Sequence, residues 1–146
     1  MAFFLKKPWL ILEELKSMSK DLLLDTSVVI GHLRGSIDVL ALANHQEELF
    51  LPLVALGELY KGALASNRPE HNRREIDDFL LIAGLLHPDS ATADAYAYIS
   101  VQLKCKGVPI PENDIWIAAV ALECNMPLAT RDAHFRKVDG LELIFW

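Results

Sequence analysis

Short unbroken apolar runs, alternating with longer segments of helical spacing, constrain this chain more than any other feature. The first run is "DLLLD" at 21–25. It lacks the polar residue at every second position that a half-exposed strand needs. A strand made from it is therefore buried on both faces, as inside a parallel sheet. "TSVVIGHLRG" then reads as a helix opened by a hydroxyl cap and stopped at Gly35. "SIDVLALANHQ" reads as a second short helix, and "ELFLPL" as a second strand that ends at Pro52. In "VALGELYKGALAS", Leu56, Leu59, Tyr60 and Ala63 form a stripe at helical spacing.

The pattern continues to the C-terminus. "PEHNRREIDDFLLIAGLL" places Ile76, Phe79, Leu80 and Ala83 on one face and reads as an amphipathic helix, with "LLHP" as a brief third strand. "ATADAYAYISVQLKCKG" has helical spacing through Ala95, Tyr98, Ile99 and Leu103 and ends at Gly107; its tyrosines read as core or interface packing. "ENDIWIAAVALECN" is apolar all round, which predicts a helix buried in the centre of the domain. "PLAT" and "LELIFW" are the last two strands, separated by the polar "RDAHFRKVDG". Strands separated by helical crossovers imply an α/β fold, a parallel sheet with helices on both faces in three layers. Ligands of such sheets sit beyond the carboxyl ends of the strands, where the strand order reverses.

With 146 residues, 52% of them hydrophobic, the chain makes one domain. A domain of this size buries roughly two thirds of its unfolded surface and needs no disulfide or structural metal to fold. Cys105 and Cys124 are too few for a disulfide framework or a zinc site; both lie in apolar helical surroundings and are expected to be buried free thiols. A net charge of −6 argues against nonspecific coating of nucleic acid, although local basic clusters can still hold a phosphate chain. The opening "MAFFLKKPWLILEELKSMSK" carries Glu13 and Glu14 inside its apolar stretch and no small-residue cleavage site follows. A cytoplasmic chain is expected, neither secreted nor membrane-spanning. Residues 1–17 read as an N-terminal extension ahead of a domain at 18–146, or as sequence preceding a true start at Met18.

Four acids stand out. Asp25 ends the first strand and Asp132 follows "PLAT" in the equivalent place, so the two converge if those strands are neighbours. Helix capping is the structural alternative for Asp25, but Thr26 and Ser27 are available for that task. Glu58 sits mid-helix over small and apolar residues, which points its side chain into a partly buried cleft; Gly57 and Gly62 beside it suggest a close approach to the backbone. Asp114 opens the apolar helix, where it competes with Asn113 for the cap. Four carboxylates brought together repel one another unless a cation lies among them, and oxygen donors without a Cys or His cluster select Mg²⁺, or Mn²⁺, over zinc.

"LLLDTSVVI", "GELYKGA", "IPENDIWIAA" and "ATRDAHF", in this order, resemble the PIN-domain family over residues 21 to about 145, and in particular the VapC-type toxins of bacterial toxin–antitoxin pairs. The resemblance implies a five-stranded parallel sheet of order 3-2-1-4-5, which sets the first and fourth strands side by side. It implies that Asp25, Glu58 and Asp114 are the three acids of a metal site, with Asp132 as a less constant fourth. It further implies a Mg²⁺-dependent endoribonuclease that leaves a 5′-phosphate, forms a homodimer and is inhibited by a cognate antitoxin. Thr26, Ser27 and Thr130 would then support the carboxylates, while Arg34, Lys61, Arg131, Arg136 and Lys137 would be candidates for phosphate contacts. His134 is left out, since a metal-bound hydroxide needs no histidine base.

A haloacid dehalogenase-type phosphatase would need an acid where Ser27 stands, and a receiver domain would need an acid pair in its first loop. The patterns GxxxxGK, GxGxxG and GxSxG are absent. The remaining alternative is a noncatalytic PIN-like module that binds a protein partner or RNA.

Overall fold

The computed structural model describes residues 21–42 and 48–146. The expected N-terminal extension and the end of the second short helix lie outside these residues. The described elements are β1 (Leu22–Leu24), α1 (Thr26–Leu33), α2 (Val39–Leu42), β2 (Leu49–Pro52), α3 (Leu53–Leu64), α4 (Pro69–Phe79) and β3 (Ala83–Leu86). They continue with α5 (Ser90–Lys106), α6 (Glu112–Cys124), β4 (Leu128–Thr130), a 3-10 segment (Ala133–Lys137) and β5 (Leu143–Phe145).

The sheet has five strands in the order β3-β2-β1-β4-β5, and every neighbouring pair is parallel. This is the expected order. The chain builds outward from β1 to β3, then crosses back to place β4 on the other side of β1. The reversal puts a crevice at the carboxyl ends of β1 and β4. Leu22, Leu23 and Leu24 are 3%, 0% and 0% exposed, so the central strand is covered on both faces, as its unbroken apolar run requires.

Local chemistry sets where the helices stop. Gly35 lies just past the end of α1 with φ +78°, and Gly107 caps α5 with φ +68°, both left-handed conformations that glycine adopts without strain. Asp89 and Thr92 close a reciprocal capping box at the start of α5. In α6, seven residues from Ile115 to Leu122 are buried, as expected of a helix that is apolar all round. Tyr96 of α5 stacks on Trp116 of α6, 4.0 Å between ring centroids, which bears out its reading as a packing residue.

Two expectations fail. The helix from Pro69 ends at Phe79 rather than running on to Leu86, and the third strand is Ala83–Leu86 rather than "LLHP". Ala83 therefore belongs to the sheet. Apolar runs this long do not distinguish strand from helix by spacing, and four paired positions along β2 decide the matter. Gly84 lets the Phe50 ring lie flat against β3, since a Cβ there would come within 2.9 Å of it. Cys105 is exposed and Cys124 half-buried, because α5 buries Thr92, Ala95, Ile99 and Leu103 and turns Cys105 outward between two lysines. No helix among the described residues is long and apolar enough to cross a membrane.

Leu23→Ala, at a fully buried position of the central strand, is expected to destabilise the fold by about 3 kcal/mol, and Leu81→Ala, at an 83% exposed position, by less than about 0.5 kcal/mol. Urea midpoints of the two variants measure both.

Candidate active site

Asp25 leaves β1 at its carboxyl end and is 4% exposed. One carboxylate oxygen, Oδ1, accepts the Thr26 N–H at 2.8 Å, so Asp25 is itself the N-cap of α1. The expected hydroxyl cap is corrected here: the acid does have a structural task, and the two hydroxyls serve elsewhere. Ser27 Oγ donates to Asp25 Oδ2 at 2.7 Å and accepts the Arg131 N–H at 3.0 Å. Thr26 Oγ1 donates to Glu58 Oε1 at 3.0 Å, tying α1 to α3.

Thr130 is fully buried at the end of β4, the neighbour of β1. Its hydroxyl donates to Asp25 Oδ2 at 2.8 Å and accepts the Asp132 N–H at 2.9 Å. One side chain thus spans the two acids that end adjacent strands. Asp132 caps the 3-10 segment through the His134 N–H, 2.9 Å from Oδ1.

Asp114 arrives from α6. That helix begins at Glu112 behind Pro111 and has no side-chain cap, so neither Asn113 nor Asp114 fills the capping role considered for them. Burial pushes the Asp114 carboxyl up to about 6, and the charges of Asp132, Asp25 and Glu58 add to the rise, while His134 opposes it. The charges of the other three acids singled out in the sequence are thus all felt at Asp114. Glu58 is half-buried, as its neighbours suggested. The glycines beside it do not mark a close approach: a Cβ at Gly57 or Gly62 would meet nothing within 4 Å.

Glu58, Asp114 and Asp132 line an open cleft together with Pro111, Glu112, Asn113 and His134. His134 and Glu112 are additions to the set read from the sequence. His134 Nδ1 lies 3.3 Å from Asp114 Oδ2 and 3.0 Å from Asp132 Oδ1. Its signal was the spacing in "RDAHF", which sets the ring two residues beyond an acid; Glu112 hydrogen-bonds Tyr96 at the start of α6.

The basic candidates are peripheral. Arg131 lays its guanidinium against α1, where Gly31 leaves room: a Cβ at Gly31 would fall 3.0 Å from Nη1, and Ser36 Oγ is 3.4 Å from the same nitrogen. Arg136 sits over the Phe145 ring at 4.2 Å. Arg34, Lys61 and Lys137 are exposed, and none of the five forms an ion pair among the described residues.

The donor set fits a hard divalent cation. It holds no cysteine, and carboxylate oxygens of Asp114 and Asp132 lie with a His134 ring nitrogen within 4.8 Å of one another, a group that does not include Asp25 or Glu58. Burial and, after it, the charges of Asp132, Asp25 and Glu58 disfavour the ionised form of Asp114, and a cation would offset both.

A family model described as the PIN domain matches residues 22–141. The chain is 32% identical over 124 residues to ribonuclease VapC4 of Mycobacterium tuberculosis, covering 84% of this chain and 94% of that protein. It is 29% identical over 129 residues to ribonuclease VapC1 of Haemophilus influenzae strain R2866, covering 85% and 96%. Among solved structures, VapBC-1 from nontypeable Haemophilus influenzae superposes with a TM-score of 0.78 at 27% identity, over 86% of this chain and 98% of that one. VapBC from Salmonella typhimurium, crystallised bound to DNA, gives 0.80 at 25% identity over 88% and 99%.

Thr130→Val removes a donor from Asp25 and the acceptor of the Asp132 N–H, and is expected to destabilise the fold by about 1–3 kcal/mol. Thr130→Ser should recover most of that in urea titrations. Asp114 holds its proton up to about 6, against 3.8 ordinarily. Its protonated form thus contributes stability that is fully present below about 3.8 and is lost as pH rises through about 6. Asp114→Asn, which never ionises, is expected to be more stable than the wild type above that window by about 1–2 kcal/mol after allowance for solvent screening. The gain should vanish near pH 4, as melting curves in chelator at pH 4 and pH 8 would show.

Proposed function

The chain belongs to the PIN-domain family as a VapC-type ribonuclease, and we propose that Asp25, Glu58, Asp114 and Asp132 hold the divalent cation with which it hydrolyses RNA, Mg²⁺ in the first place and Mn²⁺ in the second. The observation that carries this reading is the linkage of the four acids: Thr130 joins Asp25 to Asp132, Thr26 reaches Glu58, and the charges of all three act on Asp114.

When bound there, such an ion supplies a water of lowered pKa and positive charge against a phosphodiester oxygen. The chain's own groups hold the geometry. Three donors fix the Asp25 carboxylate and leave the second lone pair of Oδ1 for a ligand, so this acid is placed before any ion arrives. Glu58 and Asp114 approach from two different helices, which lets the cleft stay open between them. Arg131, whose backbone is tied to Ser27, and Arg34 flank the acids and are suited to the RNA phosphates on either side of the scissile bond. Cleavage leaves a 5′-phosphate.

As the toxin of a VapBC-type pair, the protein has an antitoxin as its partner. A groove lined by Ile30, Leu33, Leu59, Ala63 and Ile76 has Glu58 in its wall. An apolar antitoxin segment filling that groove can present a basic side chain to the acids, a charge-assisted contact that blocks the site. The protein acts in the cytoplasm as a homodimer.

The test is cleavage of a structured RNA pool by the full chain with Mg²⁺, Mn²⁺ or EDTA, beside Asp25→Asn and Asp114→Asn. Metal-dependent cutting that falls by at least about a hundredfold in each variant is expected. A folded wild type that binds no metal and cuts no faster than the variants would replace this reading with a noncatalytic module that binds a protein partner or RNA.

A further inference from the structure

We propose that His134 is a ligand of the centre, and that its imidazole tilts the centre toward Mn²⁺ over Mg²⁺. The inference rests on the metal-site reading above and adds to it a donor of a different kind.

The ring nitrogen Nδ1 lies between two carboxylates that come from different elements, 3.3 Å from Asp114 Oδ2 and 3.0 and 3.2 Å from the two oxygens of Asp132. A cation held by Asp114 and Asp132 would therefore have this nitrogen within reach as a further donor in place of its contacts to the carboxylates. The backbone holds the ring in place: the His134 N–H donates to Asp132 Oδ1 at 2.9 Å, and Thr130 receives the N–H of Asp132. The other ring nitrogen, Nε2, has no polar partner among the described residues, so the two carboxylates at Nδ1 are what orient the ring. With its side chain 45% exposed, the ring can adjust by the fraction of an ångström that coordination needs.

The donor type gives the selectivity. Mg²⁺ keeps a shell of oxygen ligands and waters and gains little from an imidazole. Mn²⁺ accepts oxygen donors equally and nitrogen donors better, as do the ions beyond it in the first transition row. Removing the ring should therefore weaken Mn²⁺ and leave Mg²⁺ nearly unchanged.

The experiment measures Mn²⁺ binding to the full chain by electron paramagnetic resonance at pH 8, and Mg²⁺ by competition, for the wild type, His134→Ala, His134→Gln, Asp25→Asn and Asp114→Asn. Expected for His134→Ala is a loss of about tenfold or more in Mn²⁺ affinity with less than about threefold in Mg²⁺. Spin-echo modulation from a directly bound ¹⁴N should be present in the wild type and absent in both His134 variants. His134→Gln, which offers an amide oxygen, should keep Mg²⁺ affinity while losing the preference, and melting curves identify any variant that fails to fold. Equal losses of both ions, or no ¹⁴N modulation in a wild type whose Mn²⁺ binding needs Asp25 and Asp114, would overturn the role of His134 and leave the acidic centre standing. Mn²⁺ binding indifferent to both aspartates, or none at all, would overturn the centre and this inference together.

Discussion

A hydroxyl donated by a fully buried threonine to a buried carboxylate ties this molecule together at its functional edge. Thr130 and Asp25 are separated by 105 positions in the chain, and only the parallel pairing of β1 with β4 brings them within 2.8 Å. The same oxygen of Thr130 accepts the backbone of Asp132, so two strand ends, one helix start and one 3-10 start share a single node. Buried polar networks of this kind are costly when any member is missing and specific when all are present. The β1–β4 crevice is thereby held in one arrangement.

Around that node the fold works against its own electrostatics. It gathers Asp25, Glu58, Asp114 and Asp132, and the cost shows at Asp114, whose carboxyl is raised by burial first and by the charges of the other three after it. The apolar layers compensate: β1 is buried throughout and α6 at seven positions between Ile115 and Leu122, and their burial supplies stability that the acidic edge withdraws. A structure optimised for stability alone would not place four carboxylates there.

Much of this was legible in the sequence because the pattern had a single reading. The runs at 22–24 and 128–130, and the all-apolar helix from 112, name their own burial, and acids at strand ends name the edge where ligands sit. The strand order came from the family likeness instead, since periodicity says nothing about which strands are neighbours. Where several structures fit one pattern, the reading failed. The apolar stretch 79–86 suits a helix face or a strand, and only the partner strand decides. Asp25 looked free because two better-known cap residues follow it, yet they were recruited by Glu58 and Arg131, contacts across 32 and 104 residues that no local window contains. His134 was set aside because a metal-bound hydroxide needs no histidine base, and no local window shows that a second carboxylate, Asp114, reaches it from a different element.

The dual employment of Asp25 separates the acids into two kinds. Asp25 and Asp132 each start a helical segment by accepting its first backbone donors, whereas Asp114 caps nothing and its side chain answers to the cleft alone. Replacing Asp25 therefore also removes the side-chain cap of α1. Replacing Asp114 leaves every cap in place, so if the proposed metal site holds, that is the position at which to disarm the molecule when the purpose is to capture intact what it holds.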